Sequence, residues 1–200
     1  MRGNDDRGNR YGPEPRNIYF TVPNLISVLR IISIPFIAAL IAGHRMIPAL
    51  VVMGISAVSD GVDGIIARSF NQVSRVGQIL DPVADRLLIF CSILALGLAG
   101  IIPWWMLVIV GLRDCLMAIE MLILAQHDYG PLPVHFVGKT GTALLMTSIV
   151  TLIVADMLVG VAGQVLRMIS LAVFIWGIAL YWFAGLLYAW QGTILLKRRG

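Results

Sequence analysis

The chain has 200 residues, of which 58% are hydrophobic and 13% charged, with a mean hydropathy of +0.87. A soluble domain runs at about 45–50% apolar and about 25% charged, so this composition excludes a water-soluble fold and leaves no length for a separate soluble domain. The net charge of +4 would suggest nucleic acid in a soluble protein; in a chain this apolar the positions of the charges carry the information, and no nucleic acid is implied.

Residues 1–20 are polar and rich in Gly and Pro, which predicts a disordered or surface-lying tail rather than a secretory signal. Residues 21–200 read as one membrane domain. Six apolar segments lie at 22–42, 47–67, 78–98, 101–125, 140–158 and 165–195, each long enough for the roughly 20 residues that cross a bilayer. Polar or Gly- and Pro-containing breaks at 43–45, 69–76, 100–103, 127–137 and 159–164 separate them. The expected fold is all-α, an integral membrane bundle of six transmembrane helices. Ten basic residues fall on one side of it: Arg2, Arg7, Arg10, Arg16, Arg68, Arg75, Lys139, Lys197, Arg198 and Arg199. Only Arg45 and Arg167 fall on the other, so the positive-inside rule places both termini in the cytoplasm. Cys91 and Cys115 lie in apolar runs without metal-ligand spacing and read as small buried hydrophobes.

The second and third segments hold an unusual density of acid. Asp60, Asp63, Gly64, Ala67 and Arg68 recur at i, i+3, i+4, i+7 and i+8, so one helix face carries them all. Asp81 and Asp85 are four apart on the next helix, and the short link predicts antiparallel neighbours with these faces turned together. A charge within the membrane costs at least about 2.5–3.5 kcal/mol on insertion scales and marks function. Four adjacent carboxylates need cations to stay ionised. Two divalent ions balance them, and oxygen ligands favour Mg²⁺, Mn²⁺ or Ca²⁺. Paired metals of this kind serve in-line displacement at phosphorus. Gly64, Ala67 and Gly77 leave the inner face uncluttered, and Arg68 and Arg75 stand ready for phosphates. The plainer reading makes the same acids and arginines ion-paired glue between helices, which would not need glycine at set positions.

The pattern D-x2-D-G-x2-A-R-x8-G-x3-D-x3-D, set by Asp60, Asp63, Gly64, Ala67, Arg68, Gly77, Asp81 and Asp85, resembles the signature of the CDP-alcohol phosphatidyltransferase family at every position. The resemblance implies that Asp60, Asp63, Asp81 and Asp85 hold two Mg²⁺ (or Mn²⁺) ions and that Asp85 is also the general base. It implies that Gly64, Arg68 and Ser74 contact the CDP part of CDP-diacylglycerol, with Ala67 and Gly77 making room for it. Asn24, in the Pro23-Asn24 step, matches a nucleotide contact in the family's first span but is equally a helix N-cap. The implied chemistry is attack of an acceptor hydroxyl on the lipid-side phosphorus with release of CMP. No Cys, Ser or His is poised as a covalent nucleophile, which predicts direct displacement.

For the acceptor, the informative residues are Lys139, Arg113 and Arg75. A cation at the mouth of the site suits an acceptor that carries phosphate, whereas Lys139 as an interfacial snorkelling side chain and Arg113 paired with Asp114 are the structural readings. His135 lies close to Lys139 in sequence. The segments Ile102–Trp105, Leu132–Lys139 and Leu180–Gly185 look like the bacterial glycerol-acceptor branch, nearer to cardiolipin synthases, which use phosphatidylglycerol, than to phosphatidylglycerophosphate synthases, which use glycerol 3-phosphate. That branch implies a bacterial plasma membrane, an active site facing the cytoplasm and a homodimer. Tyr181, Trp182, Phe183, Tyr188 and Trp190 read as an interfacial belt or packing surface. A metal-ion or ion transporter is the competing class, but it would place its acids at the midplane and show an inverted repeat, and none is visible.

Overall fold

The computed structural model describes the backbone of residues 22–69, 75–126 and 136–197, and the side chains of 28–59, 83–120, 136–191 and 193. It has six helices: α1 (Val22–Ala42), α2 (Met46–Ser69), α3 (Arg75–Leu98), α4 (Trp104–Gln126), α5 (Phe136–Met157) and α6 (Val161–Lys197). There is no strand among the described residues. The tail of residues 1–20 lies outside them.

Helix is the form these runs take because it satisfies every backbone group internally, which an apolar surrounding demands. The hydroxyls follow the same rule. Ser33, Ser59, Thr147, Ser148 and Ser170 each donate to a carbonyl three or four residues back, at 2.7–2.8 Å. Three helices start earlier than the apolar pattern predicts, α3 at Arg75, α5 at Phe136 and α6 at Val161. A polar or glycine-containing first turn is invisible to a hydrophobic pattern but costs a helix little. Lys139 therefore lies inside the first turn of α5 instead of ahead of the helix.

The turns at one end are tight. His44 (φ 54°) and Gly100 (φ 71°) adopt the left-handed conformation that closes α1 and α3, with Arg45 N–H donating to Leu40 O at 2.8 Å and Ile101 N–H to Leu96 O at 2.9 Å. His44 Nδ1 lies 3.3 Å from Asp156 Oδ2 near the end of α5, and Arg167 of α6 donates to the Ile101 carbonyl at 2.7 Å. The three short connections thus share one end of the bundle. Successive helices run up and down, and the signature halves of α2 and α3 point to the opposite end.

Two packing units make the core. The first is α1, which lies against both α2 and α3 with Ile37, Ile41, Ile93 and Leu96 buried. The second is the α5–α6 hairpin, closed over Leu145, Ile149, Leu152 and Phe174. Outward faces are apolar too: Ile47, Val51, Ile55 and Val58 form one exposed stripe on α2, and Val108, Leu112, Leu116 and Ile119 another on α4. Exposed apolar stripes of this extent are incompatible with water. Helix α5 and the Val161–Gln191 part of α6 are long and apolar enough to cross a membrane, while the described apolar stretches of α1 and α2, Val28–Ala42 and Met46–Ser59, are shorter. Cys115 is exposed and Cys91 half-buried, a correction to their reading as core residues. Nearby side chains cannot close over an outward helix face.

The α5–α6 contact depends on Gly141. A Cβ there would sit 3.0 Å from the Tyr181 backbone nitrogen and 3.2 Å from its Cα, atoms that cannot step aside. Gly141→Ala is expected to destabilise by about 1–3 kcal/mol through overpacking. Gly54 of α2 has nothing within 4 Å of its own Cβ position, so Gly54→Ala should be neutral or stabilising by up to about 1 kcal/mol. Thermal melting in detergent measures both; equal shifts would refute the close approach.

Candidate active site

The signature residues stand on helices, as their spacing requires. Helix α2 carries Asp60, Asp63, Gly64, Ala67 and Arg68, α3 carries Arg75, Gly77, Asp81 and Asp85, and α1 carries Asn24 near its start. The side chains of Asn24, Asp60, Asp63, Ala67, Arg68, Arg75 and Asp81, and the surroundings of Gly64 and Gly77, lie outside the described residues, as does Ser74 altogether. Direct pairing of the acidic faces falls on the same residues. Along the described remainder of α2 and α3 it is α1 that both helices pack on. Among the described residues no three His, Cys, Asp or Glu side chains gather.

Asp85 is the described member of the set. Its side chain is 62% exposed, and its Oδ1 lies 3.5 Å from Nη1 of Arg30, whose own side chain is only 4% exposed. Arg30 reaches Asp85 from the third turn of α1, across the α1–α3 contact. The carboxylate therefore has a fixed cation on its protein side and an open approach on the other, which suits a group that must meet a substrate. The sequence marked Arg30 only as a charge inside an apolar run. That cost was the available signal, and it named no partner.

Arg113 and Asp114 form a pair at 3.1 Å within α4. The Tyr181 hydroxyl of α6 donates to the same Asp114 oxygen at 2.6 Å, and the Arg113 guanidinium stacks over the Tyr181 ring at 3.7 Å. Gly185, one turn on, lets the arginine lie against α6, since a Cβ there would come within 3.4 Å of Arg113 Nε. Arg113 is 5% exposed and enclosed by this network. Tyr181 is buried as well, which puts it in the packing surface and not in an interfacial belt. Lys139 is exposed on α5, and its neighbour Gly138 faces Ala184. His135 lies outside the described residues. A cleft of about 320 Å³ opens between α3 and α4, walled by Leu87, Phe90 and Gly111 with Arg86 and Asp114 among its lining. It begins one residue beyond Asp85.

The family profile described as CDP-alcohol phosphatidyltransferase matches residues 20–187, which takes in the whole signature and all six helices except the last turns of α6. The chain belongs to the CDP-alcohol phosphatidyltransferase family. It is a phosphatidyltransferase of phospholipid biosynthesis, and the transporter reading of its acids gives way to that. A Mycobacterium tuberculosis protein provisionally named a cardiolipin synthase is 36% identical over 184 residues, 92% of this chain and 88% of the relative. A Streptomyces coelicolor cardiolipin synthase (CMP-forming) is 35% identical over 183 residues, 88% and 85% of the two chains. An Aquifex aeolicus CDP-diacylglycerol–glycerol-3-phosphate 3-phosphatidyltransferase is 32% identical over 133 residues, 65% and 74%.

CDP-alcohol phosphatidyltransferases are membrane-associated and use divalent metal ions. The donor set here fits one: the acids offer oxygen ligands only, and the exposed Asp85 already draws a cation to 3.5 Å.

Proposed function

We propose that this enzyme transfers the phosphatidyl group of CDP-diacylglycerol to phosphatidylglycerol, giving cardiolipin and CMP. The observation that carries this is the length of the likeness: the cardiolipin synthase relative is matched over 88% of this chain, the glycerol-3-phosphate enzyme over 65%. Glycerol 3-phosphate as acceptor, giving phosphatidylglycerophosphate, is the second reading, favoured by that shorter match.

In this reading Asp60, Asp63, Asp81 and Asp85 hold two Mg²⁺ ions, with Mn²⁺ an effective substitute. The ions, when bound, neutralise the pyrophosphate. Asp85 takes the proton of the acceptor hydroxyl as its oxygen forms a bond to the lipid-side phosphorus. The bond from that phosphorus to the CMP oxygen breaks, and CMP leaves. Gly64, Ala67, Arg68, Ser74, Gly77 and Asn24 hold the nucleotide lipid. Lys139, exposed near the start of α5, and Arg75 at the start of α3 receive the acceptor phosphate. Arg113, held by its network with Asp114 and Tyr181, is the third acceptor residue in this reading.

Residues 21–200 form the membrane domain and 1–20 a cytoplasmic tail. The backbone supports six spans: the shortest helix has 21 residues, about 31 Å at 1.5 Å per residue, against a hydrocarbon core of about 30 Å. Alternating helices put both termini, and with them the site, on the side the basic residues mark as cytoplasmic. The setting is a bacterial plasma membrane and the assembly a homodimer.

Purified protein with CDP-diacylglycerol, Mg²⁺ and either phosphatidylglycerol or glycerol 3-phosphate tests this. CMP and cardiolipin should appear with phosphatidylglycerol. Faster turnover with glycerol 3-phosphate would select the second reading, and CMP release with neither would sink both.

A further inference from the structure

The ion pair between α1 and α3 has no place in the chemistry above. Arg30 is buried to 5% exposure where α1 meets α3, and its Nη1 lies 3.5 Å from Oδ1 of Asp85. A guanidinium in such surroundings stays charged and must be matched by a carboxylate. The pairing is uneven, because Arg30 is locked in the core whereas the Asp85 side chain is 62% exposed. Arg30 is therefore a fixed charge and Asp85 the member that ligands reach. Helix α1 packs on α2 as well as α3, so this charge belongs to the strip that joins the two acid-bearing helices.

We propose that Arg30 is the resident counter-ion of the acidic site: it anchors Asp85 when no metal is bound and weakens metal binding by its own charge. The proposal rests on the reading of Asp85 as a metal-binding and catalytic acid. In that reading four carboxylates share one site and repel, and an enzyme that must fold before it is loaded needs some of that charge matched from within. Once two divalent ions are bound, the carboxylates are already neutralised and the guanidinium leaves the site one charge positive. A pyrophosphate is drawn to such a site. The same residue thus holds the empty site together and biases the loaded one toward an anionic substrate, at the expense of metal affinity.

Two measurements on the full-length protein in detergent test this. The first is Mn²⁺ binding followed by electron paramagnetic resonance, without substrate. Arg30→Gln should bind Mn²⁺ at least about threefold more tightly than the parent, since a like charge has been removed. Arg30→Lys, which keeps the charge, should stay within about twofold, and Asp85→Asn should weaken binding. Unchanged or weaker binding in Arg30→Gln alongside weaker binding in Asp85→Asn would overturn the counter-ion role and leave the site assignment standing. Unchanged binding in Asp85→Asn would overturn the site assignment itself. The second is a melting cycle in chelator. Arg30→Gln and Asp85→Asn should each lower the melting temperature, and the double variant should lose less than their sum. Additive losses overturn the anchoring role. If Arg30→Gln alone gives no folded protein, recovery of a melting transition in the double variant supports it and failure to recover overturns it.

Discussion

Asp85→Asn is expected to lower CMP release from CDP-diacylglycerol by at least about a hundredfold, the scale of losing a general base. An amide keeps the size of the carboxylate and can still accept a hydrogen bond from Arg30, so the helix contact survives. It cannot take the acceptor's proton or offer a full negative charge to a metal. The variant also leaves the buried Arg30 with one counter-charge fewer, so turnover is to be scored per folded protein, with melting recorded beside it. Retention of parental turnover in folded Asp85→Asn would remove Asp85 from the mechanism.

Asp114→Ala carries the largest stability effect. The Asp114 side chain is 22% exposed and serves two groups from one oxygen, the Arg113 guanidinium at 3.1 Å and the Tyr181 hydroxyl at 2.6 Å. Its removal deprives a guanidinium that is 6% exposed of its hydrogen-bonded carboxylate, leaving the Tyr181 ring against it and the more distant charge of Glu120. Breaking a buried pair from one side costs about 3–5 kcal/mol; with Asp114 partly screened, about 2–4 kcal/mol is expected. Tyr181→Phe removes a single hydrogen bond and keeps the ring, so about 1–2 kcal/mol should be lost. Denaturation of both variants in one detergent gives the order. Equal losses would show that the tyrosine, not the aspartate, organises the network.

The helices were legible because apolar runs broken by Gly, Pro and charge have few other ways to fold. Their starts were less so, since Arg75 is charged and Gly138-Lys139 interrupts the apolar run that Phe136 and Val137 begin. The family was legible, because eight fixed positions at helical spacing carry it, whereas the meeting of their side chains falls outside the described residues. What stayed hidden was partnership. Nothing local to Arg30 points to Asp85, because the choice depends on α1 lying against α3, a packing decision made over 55 residues of sequence. Tyr181 sits among aromatics that read alike in sequence; only the position of Asp114 on α4 sets it apart from Trp182 and Phe183.

That separation bears on the order in which the fold completes itself. Synthesis delivers α1 before α3, with Arg30 in its third turn, and the carboxylate beside it in the finished protein belongs to α3, 55 residues later. A buried guanidinium left without its carboxylate costs about 3–5 kcal/mol. Helix α1 therefore gains this counter-charge only when α3 has been made, and the contact between the two closes across everything synthesised in between.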